Sequence, residues 1–386
     1  MKTQLLHVLF FTPMARGQWG LPAVMVGGPG EAKTSVLRSF AAEWGVPFEC
    51  LKVGARGEGA FGVVPVPMTD ADDRMRLCYP PPAWTDKFAR VGVGLVLLDE
   101  GSTASDLIQH ALMGMLDDRV IGEWAFPPRV RFIMASNPPA VVRGYDLNAP
   151  TANRMGHFAW DPPTDDQWDE YMTGAVGDAP VVAQDCDAEE ARVLAVWKDQ
   201  FAQAFGLVSA FRRSAAGHDL KRKCPPPEDP KASGAFPTDR TWEYATRALA
   251  SARIHALTKL DTEELLGGFI GHEALVALMT YAEYQDLPDA GKYLDGMVSF
   301  EHSAGRLDRT FAMLQACTSI VRDPVCPNRD VRAAMVWKLL VEVGQSYLET
   351  VVPFAVKLAK AGLNKGPQAS EVMRLINPAV VMTTKR

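Results

Sequence analysis

No uninterrupted apolar run in this 386-residue chain approaches the ~18 residues that a membrane-crossing helix needs, so no membrane role is expected. Nor is there an excess of positive charge: 40 Lys and Arg stand against 46 Asp and Glu, a net charge of -6. That balance excludes a global attraction to nucleic acid or anionic lipid, and any such contact has to be local. The six cysteines, at positions 50, 78, 186, 224, 317 and 326, form no pair at metal-ligand spacing, and the seven histidines are equally scattered. They read as reduced thiols and ordinary imidazoles of a cytoplasmic protein, without the signature of a zinc site. Internal repeats are lacking as well.

What the chain does have is apolar material, 47% of its residues, enough for a sizeable interior. Its length suggests two or three domains. The opening "MKTQLLHVLFFTPMA" imitates a secretory signal, but His7 interrupts the apolar patch and a glycine loop follows closely. A short helix packing beside the first strand is the preferred reading.

The first ~160 residues alternate short apolar runs with helical periods, as a parallel sheet with crossover helices does. Strands are predicted at Ala23 to Val26, at Phe48 to Val53, in "GLVLLDE", in "RVRFIMASNPP", and last in "HFAW" (His157 to Trp160). Val36, Leu37, Phe40, Ala41 and Trp44 recur at helical spacing after the first. Leu107, Ile108, Ala111, Leu112, Met115 and Leu116 form a second helical stripe, with Ser102 or Thr103 as its N-cap. Beyond Trp160 helical periods dominate, broken by a polar, Pro-rich segment at 217–237. The expected division is an α/β nucleotide-binding core at 1–162, a helical lid at 163–300 and C-terminal helices at 301–386.

Chemistry gathers at the predicted strand ends. "GGPGEAKTS", Gly27 to Ser35, is a phosphate loop with one position changed: Ala32 stands where the last glycine belongs, which is acceptable at a helix's first turn if φ is negative. The loop is made of Gly27, Gly28, Pro29, Gly30, Glu31, Ala32, Lys33, Thr34 and Ser35, and all of these but the proline offer backbone N–H groups to phosphates. Lys33 is placed to reach the terminal phosphates and Thr34 to ligate Mg²⁺. Asp99 at a strand tip would hold hydrated Mg²⁺, and Glu100 would orient and activate water. Asn137, at another strand end, suits the attacking water or the γ-phosphate. Arg154, just before the last strand, is of the type that neutralises charge on a transferred phosphoryl group, often across a subunit boundary.

With those residues in order, the chain resembles the AAA+ ATPases and, within them, the MoxR-like group. The resemblance rests on "GGPGEAKTS", "GLVLLDEGSTASDLIQHALMGMLDDRVIG", "VRFIMASNPP" and "DLNAPTANRMGHFAW". It extends to "FPTDRTWEYATRAL", which looks like the lid segment carrying the second sensor and would put Arg240 on the nucleotide. It covers about Leu21 to Leu249. Met155 departs from the family's usual aromatic, and Asp239 from its frequent proline.

The resemblance implies an AAA+ P-loop NTPase core, an αβα parallel sheet, followed by a helical lid. It also implies ATP and Mg²⁺ as cofactors, a ring homo-oligomer, usually a hexamer, and Arg154 acting in trans on the neighbour's nucleotide. Such rings remodel or mature a protein client in a chaperone-like way, commonly with a partner bearing a von Willebrand factor A (VWA) domain. Two other readings remain: a nucleotide-gated assembly scaffold and, ranked last, a nucleic-acid motor. "GEGAFGVVPVP", Gly57 to Pro67, is either an axial loop gripping a client through Phe61 or an insert packing Phe61 inward. Arg212, Arg213, Lys221, Arg222 and Lys223 read as a polar loop, since no aromatics interleave them for base stacking.

Overall fold

The computed structural model describes residues 3–62, 64–69, 72–138, 147–176, 183–226, 228–283, 287–303 and 305–383. Asp146, Val63, Pro139 and the last three residues, which fall within stretches singled out above, lie outside them. Nine strands occur among the described residues: β1 (Ala23–Val26), β2 (Phe48–Lys52), β3 (Val66–Thr69), β4 (Met75–Cys78), β5 (Val93–Asp99), β6 (Val120–Ile121), β7 (Trp124–Ala125), β8 (Arg129–Ser136) and β9 (Gly156–Ala159). The helices before β9 are α1 (Thr3–Phe10), α2 (Lys33–Glu43), α3 (Asp86–Val91), α4 (Asp106–Asp117) and α5 (Ala149–Ala152). After it come α6 (Asp165–Val176), α7 (Cys186–Arg213), α8 (Ala215–His218), α9 (Asp239–Ile254), α10 (Lys259–Glu283), α11 (Ala290–Leu294), α12 (Leu307–Arg322), α13 (Arg329–Gly344), α14 (Leu348–Lys360) and α15 (Pro367–Thr383).

Five strands form one sheet in the order β2-β5-β8-β1-β9, every pairing parallel. The reason is in the residues. Leu95 to Leu98 and Val130 to Ala135 are buried without alternation, as strands covered on both faces must be. Below one face Leu51, Phe88, Val96, Leu98, Leu112, Met115, Phe132 and Met134 make a continuous core. The sheet reverses its direction of growth at β1, which has β8 on one side and β9 on the other, so the crevice at its carboxyl edge is where a ligand is expected.

Two antiparallel hairpins, β3–β4 and β6–β7, stand apart from this sheet. Sequence reading did not anticipate the first, because Pro65 and Pro67 argue against a strand. Its apolar side chains Met68, Met75 and Leu77 are exposed. Its base is anchored, since Phe61, in a 3-10 turn (Glu58–Phe61), is 1% exposed and packs within the core that also holds Ile108, Leu112 and Met115 of α4. Of the two readings of Phe61, packing into the fold is therefore the one the structure takes.

The cap of α4 corrects another expectation. Ser102 and Thr103 lie in a 3-10 turn, Gly101–Thr103, and the cap is Ser105, whose hydroxyl accepts from Ile108 N at 3.4 Å. A side chain at Gly101 would begin 2.2 Å from the Met134 sulfur, so the chain stays pressed against β8 for one more turn before the helix starts. The expected N-terminal helix is present as α1, with Leu5, Leu6, Val8, Leu9 and Phe10 buried.

The chain divides into two compact units: Met1–Ala195 with Arg222–Leu275, and Val196–Lys221 with Val276–Arg386. This grouping differs from the three consecutive segments expected, because the segment bearing Arg240 belongs with the sheet. The second unit is helical, with a core of Leu314, Cys317, Val336, Trp337, Leu340, Phe354 and Leu358. Helix α10 is long and apolar enough, by length and composition, to cross a membrane. Gly271, at φ 76 and ψ 164, interrupts it, and Leu265, Leu266, Phe269 and Ile270 are buried, which is the pattern of a core helix. Together these features make an α/β core with a helical C-terminal part.

Candidate functional site

The ends of β1, β5 and β8 bring the predicted phosphate loop, Asp99 and Asn137 together. Gly27 N donates to Ser136 O at 3.1 Å, tying the loop to the end of β8. Lys33, the first residue of α2, is only 8% exposed. Its Nζ donates to the carbonyls of Gly27 (2.8 Å) and Gly28 (2.7 Å) and, at 3.4 Å, to Asn137 Oδ1. Burial lowers its pKa from the ordinary lysine value, while Glu31 and Asp99 oppose that shift.

Ala32 departs from expectation: its φ is 59 and its ψ 15, the left-handed region, so the negative φ that would have made alanine harmless is not adopted. The turn from Gly30, itself at φ 81, into α2 needs a left-handed residue here, which is the physical reason the usual motif has glycine. An L-residue in this conformation is strained by roughly 1–2 kcal/mol. The loop is held in place by Trp160, whose Nε1 donates to Glu31 O at 2.8 Å.

Glu31 folds back over the glycines. A Cβ on Gly27 would lie 2.6 Å from Glu31 Oε2 and 2.7 Å from Trp160 Cβ, and one on Gly28 would lie 2.6 Å from Glu31 Oε1. Trp160 therefore leaves no room for a side chain at Gly27, whereas at Gly28 only the movable Glu31 carboxylate stands in the way. Oε2 of Glu31 is buried without a hydrogen-bond partner.

Thr34 Oγ1 donates to Asp99 Oδ2 at 3.2 Å, so two hard oxygen donors are adjacent, a pairing that suits Mg²⁺. A pocket beside them is lined by Arg38, Cys50, Lys52 and Arg56, which gives it a cationic wall. Burial, with Asp99 nearby, pushes the Cys50 thiol up to about 11 and leaves it protonated. The next residue, Glu100, is exposed and has a left-handed backbone, φ 58 and ψ 39. Its backbone N–H donates to Asp99 Oδ1 at 3.1 Å and its carbonyl accepts from Thr103 Oγ1 at 2.8 Å. Left-handed non-glycine residues concentrate at functional sites, where surrounding contacts fix the strain.

Arg154 and Arg240 meet elsewhere, on Asp117 in the last turn of α4. Arg154 Nε donates to Asp117 Oδ2 at 2.6 Å and an Arg240 guanidinium nitrogen donates to the same oxygen at 3.1 Å. Arg154 also donates to Pro150 O at 2.5 Å. The supporting contacts are local. Asn148 caps α5 by accepting from Thr151 N, and its own N–H donates to the buried Gln109 of α4 at 3.0 Å. Thr238 caps α9 with a reciprocal bond to Thr241, and its hydroxyl donates to Asn153 at 3.0 Å. Sequence reasoning missed Asp117, which carries no motif of its own; one acid at a helix end has no distinguishing signal.

The two departures from the family pattern have plain roles. Met155 is buried in the sheet core, and Asp239, in the first turn of α9, pairs with Arg222 at 2.6 Å. Lys223 pairs with Glu273 at 2.7 Å, and Arg213 lies 5.0 Å from the Phe311 ring. Arg213, Arg222 and Lys223 thus have partners within the fold.

No family model and no curated protein matches the chain. A solved structure from Cytophaga hutchinsonii, described as a "putative ATPase", is 13% identical, with 72% of this chain and 86% of that one covered and a TM-score of 0.47. Likeness at that level carries no argument about this chain's chemistry. The fold is an α/β one, a parallel five-stranded sheet with a glycine-rich loop after β1 and a helical C-terminal part.

Proposed function

We propose that this protein is a Mg²⁺-dependent ATP hydrolase of the MoxR-like AAA+ kind, assembling as a ring, a hexamer, that remodels or matures a protein client with a VWA-domain partner. The observation that carries the reading is the convergence at one sheet edge of Lys33 with Asn137 and of Thr34 with Asp99. The residues fit the group they would hold: a glycine at 27 where Trp160 leaves a Cβ no room, a buried lysine, and paired hard oxygen donors.

In this reading Gly27 to Ser35 receive the phosphates, Lys33 binds their terminal oxygens, and Thr34 and Asp99 hold the metal ion. Magnesium, when bound, would neutralise charge developing on the oxygens of the departing ADP. Glu100 takes a proton from the attacking water and Asn137 orients that water, while Arg154 and Arg240, held together on Asp117, neutralise charge at the transferring group of the neighbouring subunit's nucleotide. The exposed Met68, Met75 and Leu77 of the β3–β4 hairpin, rather than the buried Phe61, are the proposed client contact.

Steady-state ATPase assays and nucleotide titration test it. Glu100→Gln is expected to bind ATP but lose on the order of 10²–10⁴-fold in turnover, and Lys33→Ala to bind ATP more weakly. A wild-type protein with neither nucleotide affinity nor ATPase activity, alone or with a co-purified partner, ends this reading. Pull-down with the Glu100→Gln variant then identifies the client and tests for the VWA-domain partner.

A further inference from the structure

Away from the phosphate loop, three side chains from distant parts of the chain meet in one place. His7 of α1, Glu189 of α7 and His255, the residue capping the end of α9, have ligand atoms all within 4.8 Å of one another. His7 Nε2 lies 3.1 Å from Glu189 Oε1, and His255 Nδ1 lies 3.7 Å from the same oxygen. The two imidazoles are 4.7 Å apart, edge to face, and Phe11 and Trp44 flank His7. We infer that His7, Glu189 and His255 form a binding site for a divalent transition-metal ion of the zinc class, with a fourth position open to solvent.

Three observations support this. First, the donor set of two imidazoles and one carboxylate is the type that holds zinc with an open fourth position. Bonds of about 2.1 Å in a tetrahedral arrangement put donors about 3.4 Å apart, so the two measured gaps to Glu189 are already near that value and only the span between the imidazoles has to contract. Second, His255 Nε2 is buried with no hydrogen-bond partner, so its ring can turn to close that span without losing a bond there. Third, a cationic group already bridges the acceptors. One guanidinium nitrogen of Arg192 lies 2.7 Å from Glu189 Oε1 and 3.1 Å from His255 Nδ1. Arg192 is also held by Glu189 Oε2 at 2.7 Å, so a metal ion that displaces it from Oε1 and Nδ1 still leaves it an anchor. Its side chain is 49% exposed and free to swing that far.

The ion would join His7, Glu189 and His255, three residues of one compact unit, and the site is independent of ATP chemistry.

Titration of the purified full-length protein with Co²⁺ in excess Mg²⁺, followed by visible absorption and then by Zn²⁺ displacement, tests this directly. The expected result is one tight equivalent with tetrahedral cobalt absorption that Zn²⁺ bleaches, lost in His7→Gln and in His255→Gln. Because either histidine variant risks misfolding, Arg192→Gln supplies a gain-of-function arm: removing the like charge that competes for Oε1 and Nδ1 from a half-exposed position should tighten binding by roughly tenfold. Absence of the cobalt spectrum in wild type, or its persistence in both histidine variants, overturns the inference. An Arg192→Gln affinity equal to or weaker than that of wild type overturns it as well.

Discussion

Arg154 and Arg240, which sequence reading assigned to separate duties, donate to one and the same oxygen, Asp117 Oδ2. Two guanidiniums held this close repel each other unless a carboxylate lies between them, so Asp117 fixes where both point. Asp117→Ala is therefore expected to lower kcat by about tenfold to a hundredfold through misaimed arginines, while nucleotide affinity stays near wild type. Steady-state kinetics beside nucleotide titration checks this, and an unchanged kcat would remove Asp117 from any positioning role.

Ala32 offers a stability test in the opposite direction. Its left-handed backbone strains an alanine but not a glycine, and the relief exceeds the extra freedom glycine brings to the unfolded chain. Ala32→Gly should stabilise the protein by about 0.5–1 kcal/mol, read as a higher urea midpoint at an unchanged slope. A lower midpoint would mean that the turn does not hold position 32 left-handed in solution.

Glu31 places a carboxylate against the two glycines that phosphates must approach. Its charge opposes an incoming polyanion, and one of its oxygens has no hydrogen bond to lose. Glu31→Gln should tighten ATP binding by several-fold, roughly the 1 kcal/mol that one partly screened like charge contributes. Equilibrium titration with a fluorescent ATP analogue measures it, and weaker binding by the variant would show that the carboxylate supports the loop instead.

His157 gives a pH signature. Its Nε2 lies 2.9 Å from the Ala152 carbonyl, and burial lowers its pKa below 6.5. The folded protein thus resists a proton that the unfolded chain accepts, so this residue's stabilising contribution is complete above about pH 6.5 and falls away as pH drops below it. Replacing it with Gln, which keeps an N–H donor, should flatten the acid limb by up to about 1.4 kcal/mol per pH unit. Denaturant midpoints between neutral and mildly acidic pH decide, and parallel curves for the two proteins would refute the assignment.

The sheet was legible because its strands are short, unbroken apolar runs ending in charged or glycine-rich turns, and such runs announce strands covered on both faces. "GLVLLDE" and "RVRFIMAS" yielded β5 and β8, and the pairs Lys33 with Asn137 and Thr34 with Asp99 lie at strand ends where those residues were placed. Other features leave no local trace. The φ of Ala32 is set by the path of the turn rather than by its own chemistry, and the β3–β4 hairpin is hidden by prolines that usually exclude strands. Asp117 is one acid among many until α5 and α9 bring two arginines to it. His7, Glu189 and His255 share no spacing at all, since three separate helices carry them, and only the fold makes them neighbours.

Phe61 has a mechanical consequence. The 3-10 turn that bears it sits at the root of an exposed apolar hairpin, and it packs in the same core as α4. That helix follows closely on the turn of Asp99 and Glu100 and carries Asp117 in its last turn. A pull on the hairpin tip would bear, through the Phe61 ring, on a rod with Glu100 just beyond one end and Asp117, which holds two arginines, at the other. Load and chemistry would then share one lever arm, with Phe61 as its fulcrum.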